Sequence, residues 1–212
     1  MPVYICKVII LFTTFWQQIL TQFQQTPLLE WIGTISGFLC VYLAAKEHIL
    51  NWPVAIISVL AYALLFFEFQ LYGDSGLQLY FLGTSIYGWY YWIKNKEGNQ
   101  TPVIVLEERQ IVLTTISIIV LSILLGLFLD YCTDTNVPYA DGFCTAMSFV
   151  AQFLMTRKIL QNWILWIIVD ICYVPLYLYK NLYLTALLYA LFLVLATIGY
   201  IDWRKTYRSQ KM

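Results

Sequence analysis

The residues able to do chemistry are few and sit inside apolar stretches. Trp163, Trp166, Asp170 and Tyr173 follow the spacing i, i+3, i+7, i+10, which keeps them on one face of a helix. Three rings beside one carboxylate suit a flat, cationic ligand: the rings stack on it and attract it through their π faces, and the acid balances its charge. The structural alternative is a belt role for Trp163, packing for Tyr173, and a hydrogen-bonded or neutral acid at Asp170. A second stripe, Asp141, Thr145, Ser148 and Gln152, is spaced i, i+4, i+7, i+11 on one narrow face. It reads either as hydrogen-bonding glue between helices or as the polar wall of a cavity. A third face carries Gln78, Ser85, Trp89 and Trp92, with an interfacial belt as the plain role for its two tryptophans. Trp52 sits at a helix start, followed by Pro53, which fits a first helical turn.

Catalytic motifs are missing. There is no GxxxxGK(S/T) phosphate loop and no HExxH, and the single histidine, His48, falls in an expected loop where no Ser or Cys nucleophile could use it. Five cysteines without a CxxC pair argue against a disulfide framework or a zinc site. No metal, cofactor or enzymatic activity is expected.

The elements that must position these residues follow from composition. The chain has 212 residues, 12 Lys and Arg against 12 Asp and Glu, and 61% hydrophobic residues. Its mean hydropathy is +0.71. Charged residues make up 11%, where soluble domains carry about 25%, so a water-facing surface could not be covered. Apolar content excludes disorder, and charge balance excludes a basic field for nucleic acid. An all-α integral membrane protein remains.

Seven stretches reach the length of a spanning helix: 28–46, 52–72, 76–93, 110–130, 137–156, 160–179 and 183–203. In residues 1–25, Ile5, Ile9, Phe12, Trp16, Ile19 and Phe23 share a face, which predicts an amphipathic interfacial helix or an extra span. Ten of the twelve Lys and Arg residues, from Lys46 to Lys211, fall on one side of such a seven-span topology. That side is therefore expected to be cytoplasmic and to hold the C-terminus.

The chain also matches itself at an offset of 111 residues. Asn51-Trp52 meets Asn162-Trp163, Gly88 meets Gly199, Trp92 meets Trp203 and Lys94 meets Lys205. The repeated unit is three helices, and the stretch 110–130 lies between the copies. One intervening span restores the direction of the second copy, which predicts a 3+1+3 arrangement with parallel repeats and substrate near the midplane between them. The expected organisation is an interfacial helix (1–25), a first three-helix repeat (26–94), a cytoplasmic loop with a linker helix (95–136), a second repeat (137–203) and a cytoplasmic tail (204–212). Asp170 and Trp166 meet Val59 and Ala55 in the first copy, so one asymmetric pocket is expected. Pro175 is expected to bend the sixth span, and Gly33, Gly37, Gly83 and Gly88 to permit close helix contacts.

Several segments together resemble the PnuC-type nicotinamide riboside and vitamin transporter family. They are NWPVAIIS at 51–58, LYGDSGLQLY at 71–80, YGWYYW at 87–92, AQFLM at 151–155, NWILWIIVD at 162–170 and GYIDW at 199–203. The resemblance covers about residues 28–205. It implies a fold related to SWEET-type transporters, a homotrimer in the bacterial inner membrane, and facilitated diffusion of a vitamin that a cytoplasmic kinase then traps. It implies substrate contacts at Trp52, Gln78, Gln152, Asn162, Trp163, Trp166, Asp170 and Tyr173. Nicotinamide riboside is the expected substrate. Thiamine, also flat and cationic, is the alternative within the family, with other vitamins or nucleosides behind it. A membrane-embedded enzyme or a non-transporting scaffold are the alternatives of other classes. The first would want clustered metal ligands, and the second gives no reason for an intramembrane acid beside rings.

Overall fold

The computed structural model describes residues 17, 20–21, 23–68, 72–96, 98, 101–133, 135, 137–179 and 183–211. Seven helices with described bounds run through them: α1 (Leu28–Ala45), α2 (Asn51–Glu68), α3 (Tyr72–Lys94), α4 (Glu108–Cys132), α5 (Pro138–Thr156), α6 (Asn162–Tyr179) and α7 (Tyr183–Ser209). No strand occurs among the described residues, where a lone bridge pairs Ile104 with Ile159. The expected interfacial helix over 1–25 lies largely outside the described residues; 20–21 and 23–25 are helical.

Five helices, α1, α2, α4, α6 and α7, are long and apolar enough to cross a membrane. The other two, α3 and α5, are 23 and 19 residues long, and carry the Gln78–Ser85 and Asp141–Gln152 stripes that lower their hydropathy. Exposed Ile, Leu, Val and Phe cover the outer faces of the helices, as a hydrocarbon solvent requires. The chain is an integral membrane protein.

Consecutive helices pack as α1–α2–α3 and as α5–α6–α7, and the two groups meet through α1 against α7 and α3 against α5. Helix α4 packs against α5 alone among the described elements. Gly126 and Gly142 explain how closely these two approach: a Cβ on Gly142 would come within 2.6 Å of the Gly126 backbone nitrogen. The rest of α4 faces outward, with only Gly126 buried.

The 111-residue offset reappears as paired contacts. Trp52 and Trp92 meet edge-to-face at 5.4 Å, and Trp163 and Trp203 do so at 5.5 Å. Gly88 leaves room for the Trp52 ring, and Gly199 for the Trp163 ring. Tyr62 stacks on Phe66 at 5.7 Å, and Tyr173 on Tyr177 at 5.3 Å. Across the two groups, Phe38 meets Phe192 at 6.5 Å, and Phe149 meets Phe81 at 6.2 Å. Glu47 and Lys158, at matching places in the α1–α2 and α5–α6 turns, both have φ of 57°.

Some boundaries differ from the sequence expectation. Helix α7 runs to Ser209 rather than 203, because Tyr207 packs on the buried core and the Thr206 hydroxyl donates to Glu47 at 2.5 Å. Helix α2 ends at Glu68 and α3 begins at Tyr72, where the expected spans meet near 72 and 76. Among the glycines expected at close contacts, Gly33, Gly37 and Gly88 have neighbours within 4 Å, whereas Gly83 faces open space.

Candidate functional site

One end of the bundle holds a cluster of four tryptophans. Trp52, Trp92, Trp163 and Trp203 are all 2% exposed or less, and Trp92 also meets Trp203 at 5.9 Å. Trp92 is therefore turned inward and is no belt residue, whereas Trp89 is 37% exposed. The helix starts that carry Trp52 and Trp163 are tied to the preceding turns alike. The Asn51 side-chain amide donates to the His48 carbonyl at 2.8 Å, and the Asn162 amide to the Ile159 carbonyl at 2.6 Å. Each carbonyl also accepts the backbone N–H of the same Asn, so side chain and backbone together tie the helix start to the turn before it. The Trp203 indole donates to the Ala44 carbonyl at 3.0 Å. By contrast, the indole nitrogens of Trp52, Trp92 and Trp163, the Asn162 side-chain oxygen and the Ser85 hydroxyl are buried without a hydrogen-bond partner among the described residues. These atoms give the aromatic cluster a polar lining.

Lys158 sits inside this cluster. Its ammonium lies 2.7 Å from Glu47, donates to the Thr101 carbonyl at 2.5 Å, and stands 4.9 and 5.9 Å from the Trp92 and Trp203 rings. Lys158 is one of the loop charges that set the expected orientation, yet it is fully buried. Burial pulls its pKa below the ordinary lysine value, and the hydrogen bond and charge of Glu47 oppose that shift.

Farther along, α6 carries Trp166, Asp170 and Tyr173. Trp166 packs on the tryptophan cluster, half-buried. Asp170, one helical turn on, is 3% exposed. Tyr173 shares a hydrogen bond with Thr145 of the α5 stripe, as Tyr62 does with Thr34 at 2.8 Å in the first repeat. Around Tyr173 stand Tyr177 and, from α7, Tyr189 at 4.9 Å; Tyr189 leads on to Phe192 and, across the boundary between the groups, Phe38 of α1. Asp170 precedes Tyr173 by three residues on the same helix, on the side of this ring set. A buried acid thus stands at the foot of an aromatic wall built from α6, α7 and α1.

The eight residues singled out in the sequence separate into three places. Trp52, Asn162 and Trp163 lie in the tryptophan cluster. Trp166, Asp170 and Tyr173 form the line above it. Gln78 and Gln152 are half-buried on α3 and α5, which pack through the Tyr80 hydroxyl donating to the Phe149 carbonyl at 2.8 Å. Gln78 holds in the first repeat the register that Tyr189 holds in the second. Sequence reasoning did not single out Tyr177, Tyr189 or Phe192, although i, i+4 and i, i+3 spacing from Tyr173 and Tyr189 was visible. Among the described residues no group of His, Cys, Asp and Glu is arranged to hold a metal ion.

The chain is 27% identical over 208 residues to the nicotinamide riboside transporter PnuC of Escherichia coli (strain K12), covering 86% of this chain and 87% of that one. It is 24% identical over 179 residues to the riboflavin/roseoflavin transporter RibM of Streptomyces davaonensis, covering 82% and 83%. Its fold matches the crystal structure of the vitamin B3 transporter PnuC with a TM-score of 0.73 and 25% identity, over 95% of this chain and 92% of that one. The family model described as nicotinamide mononucleotide transporter matches residues 27–205. The chain accordingly belongs to the nicotinamide mononucleotide transporter family, and it is a membrane transporter rather than an enzyme.

Proposed function

We propose that the protein carries nicotinamide riboside into the cytoplasm by facilitated diffusion, and that a separate kinase traps it there. The observation that carries this reading is Asp170, an acid buried on α6 one turn from Tyr173, whose ring packs against Tyr189 of α7. A carboxylate in that setting is expensive unless it faces a cation or a polar cavity, and the pyridinium of nicotinamide riboside is flat and positive. The relatives named above, nicotinamide riboside and vitamin B3 transporters among them, support the same substrate.

In this reading Trp166, Asp170 and Tyr173 grip the aromatic cation, and Gln78 and Gln152 hydrogen-bond its polar groups. Trp52, Asn162 and Trp163 supply unpartnered polar atoms at the floor. All seven helices cross the inner membrane as 3+1+3, with parallel repeats, the C-terminus in the cytoplasm and three protomers each with its own path. Transport proceeds as the two three-helix groups rock around the site.

Thiamine is the second reading, because it presents the same flat positive ring. Riboflavin, named for the Streptomyces relative, is neutral and leaves Asp170 without a role. Calorimetry of the purified protein with nicotinamide riboside, thiamine and riboflavin in parallel separates them. The riboside is expected to bind tightly, with affinity reduced about tenfold or more, ~1.4 kcal/mol, by Asp170→Asn or Trp166→Ala. Unchanged affinity in both variants overturns the proposed site, and tight binding of thiamine alone reassigns the substrate.

A further inference from the structure

The floor of the bundle carries a charge pair that substrate recognition does not use. Glu47 and Lys158 occupy the same register, 111 residues apart, in the turns that link the first two helices of each repeat. Both residues have the same left-handed backbone, φ 57°. Duplication thus places one backbone geometry twice, face to face, and the side chains have opposite charge. Their contact at 2.7 Å is buried on both sides, 1% and 7% exposed. It joins one three-helix group directly to the other.

Around this pair the remaining segments at this end interlock. Thr206 of α7 donates to Glu47, and Lys158 donates to the Thr101 carbonyl in the connection before α4. Residue 104 then pairs with both sides of Ile159, its nitrogen donating to the Lys158 carbonyl at 3.1 Å and its carbonyl accepting from Leu160 at 2.9 Å. The two groups cannot separate at this end while Glu47 holds Lys158. An ion pair in a low-dielectric site is costly to break halfway, because either partner left alone is an uncompensated buried charge. Such a pair favours two discrete states, closed or fully hydrated. A small pocket of about 180 Å³, lined by Glu47, His48, Trp92, Lys96, Thr101 and Lys158, brings solvent to its edge.

We propose that the Glu47–Lys158 pair is the cytoplasmic gate of the transport path, closed in this structure and broken each time the path opens inward. The gate rests on the proposed orientation of the chain but not on the identity of the substrate. Ser85 reports on it: the residue is 1% exposed, on α3 about 10 Å along the helix from Trp92 at 1.5 Å per residue, and the Trp92 ring lies 4.9 Å from the Lys158 ammonium. Ser85→Cys would be placed in the full chain with its five native cysteines replaced. A membrane-impermeant maleimide would then be applied to inside-out and right-side-out vesicles in parallel.

With the pair intact, labelling from the cytoplasmic face is expected to be slow. Glu47→Gln and Lys158→Gln are each expected to raise its rate about tenfold, the shift of a two-state equilibrium that loses one stabilising contact. The exchange Glu47→Lys with Lys158→Glu is expected to bring it back down. If Lys158→Gln fails to fold, Glu47→Gln, which keeps volume and removes the charge, decides alone. A lowered melting temperature with unchanged labelling from both faces overturns the gate and leaves the pair a static clamp. Faster labelling from the opposite face only keeps the gate and overturns the orientation.

Discussion

At the level of single residues the structure turns a list of polar and aromatic positions into unequal parts. The two tyrosines Tyr62 and Tyr173 make the same bond to a threonine, Thr34 and Thr145. Only Tyr173 lies one turn from a buried acid, since Asp170 is matched by Val59. Tyr173→Phe is therefore expected to weaken ligand binding in calorimetry, whereas Tyr62→Phe leaves affinity within twofold. Both should cost similar stability, about 0.6 kcal/mol for a hydrogen bond between membrane helices. Equal losses of affinity would show that the two repeats contribute alike and that the site is symmetric. Tyr189, missed in the sequence, carries a sharper expectation. Tyr189→Ala removes the central ring of the wall and should lower affinity about tenfold, ~1.4 kcal/mol, while Tyr189→Phe should hold it near the parent value.

At the level of helices, packing around the tryptophans decides the geometry. Gly88 and Gly199 each face an indole, and a Cβ on Gly199 would lie 2.6 Å from the Trp163 ring. Gly88→Ala and Gly199→Ala are each expected to destabilise by about 1–3 kcal/mol, the cost of overpacking a filled core, seen as a lower melting temperature in detergent. An unchanged melting temperature in both would mean that the indoles have room to move. Much of this level was legible beforehand. Long apolar runs located all seven helices, and Asn-Trp, Gly and Trp recurring in register identified the repeat. The rotation of α3 was not legible, because a tryptophan near a membrane surface fits a belt as well as a core. Gly88, one turn before Trp92, was the local sign that this face meets another helix. The Glu47–Lys158 pair was hidden for a different reason. A repeat is found by identity, and these two positions match in backbone but differ in charge. The ring wall on α7 was hidden because Tyr189 and Phe192 look like any aromatic residues in an apolar helix.

At the level of the whole molecule, two three-helix groups meet along two related seams, α1 against α7 and α3 against α5, and α4 stands outside them. That arrangement can rock about a site between the groups without unfolding any helix, and the buried pair at one end fits such a motion. The sequence has no GxxxxGK(S/T) phosphate loop to drive it, and the proposed mechanism needs none, because in it a separate kinase would hold the imported vitamin inside. The most direct measurement is uptake of radiolabelled nicotinamide riboside into proteoliposomes holding the purified full chain, with and without ionophores that abolish proton and sodium gradients. Facilitated diffusion predicts saturable uptake that stops when inside and outside concentrations are equal, at the same rate with the ionophores present. Accumulation above the outside concentration that collapses with the ionophores, or no saturable uptake at all, would contradict it.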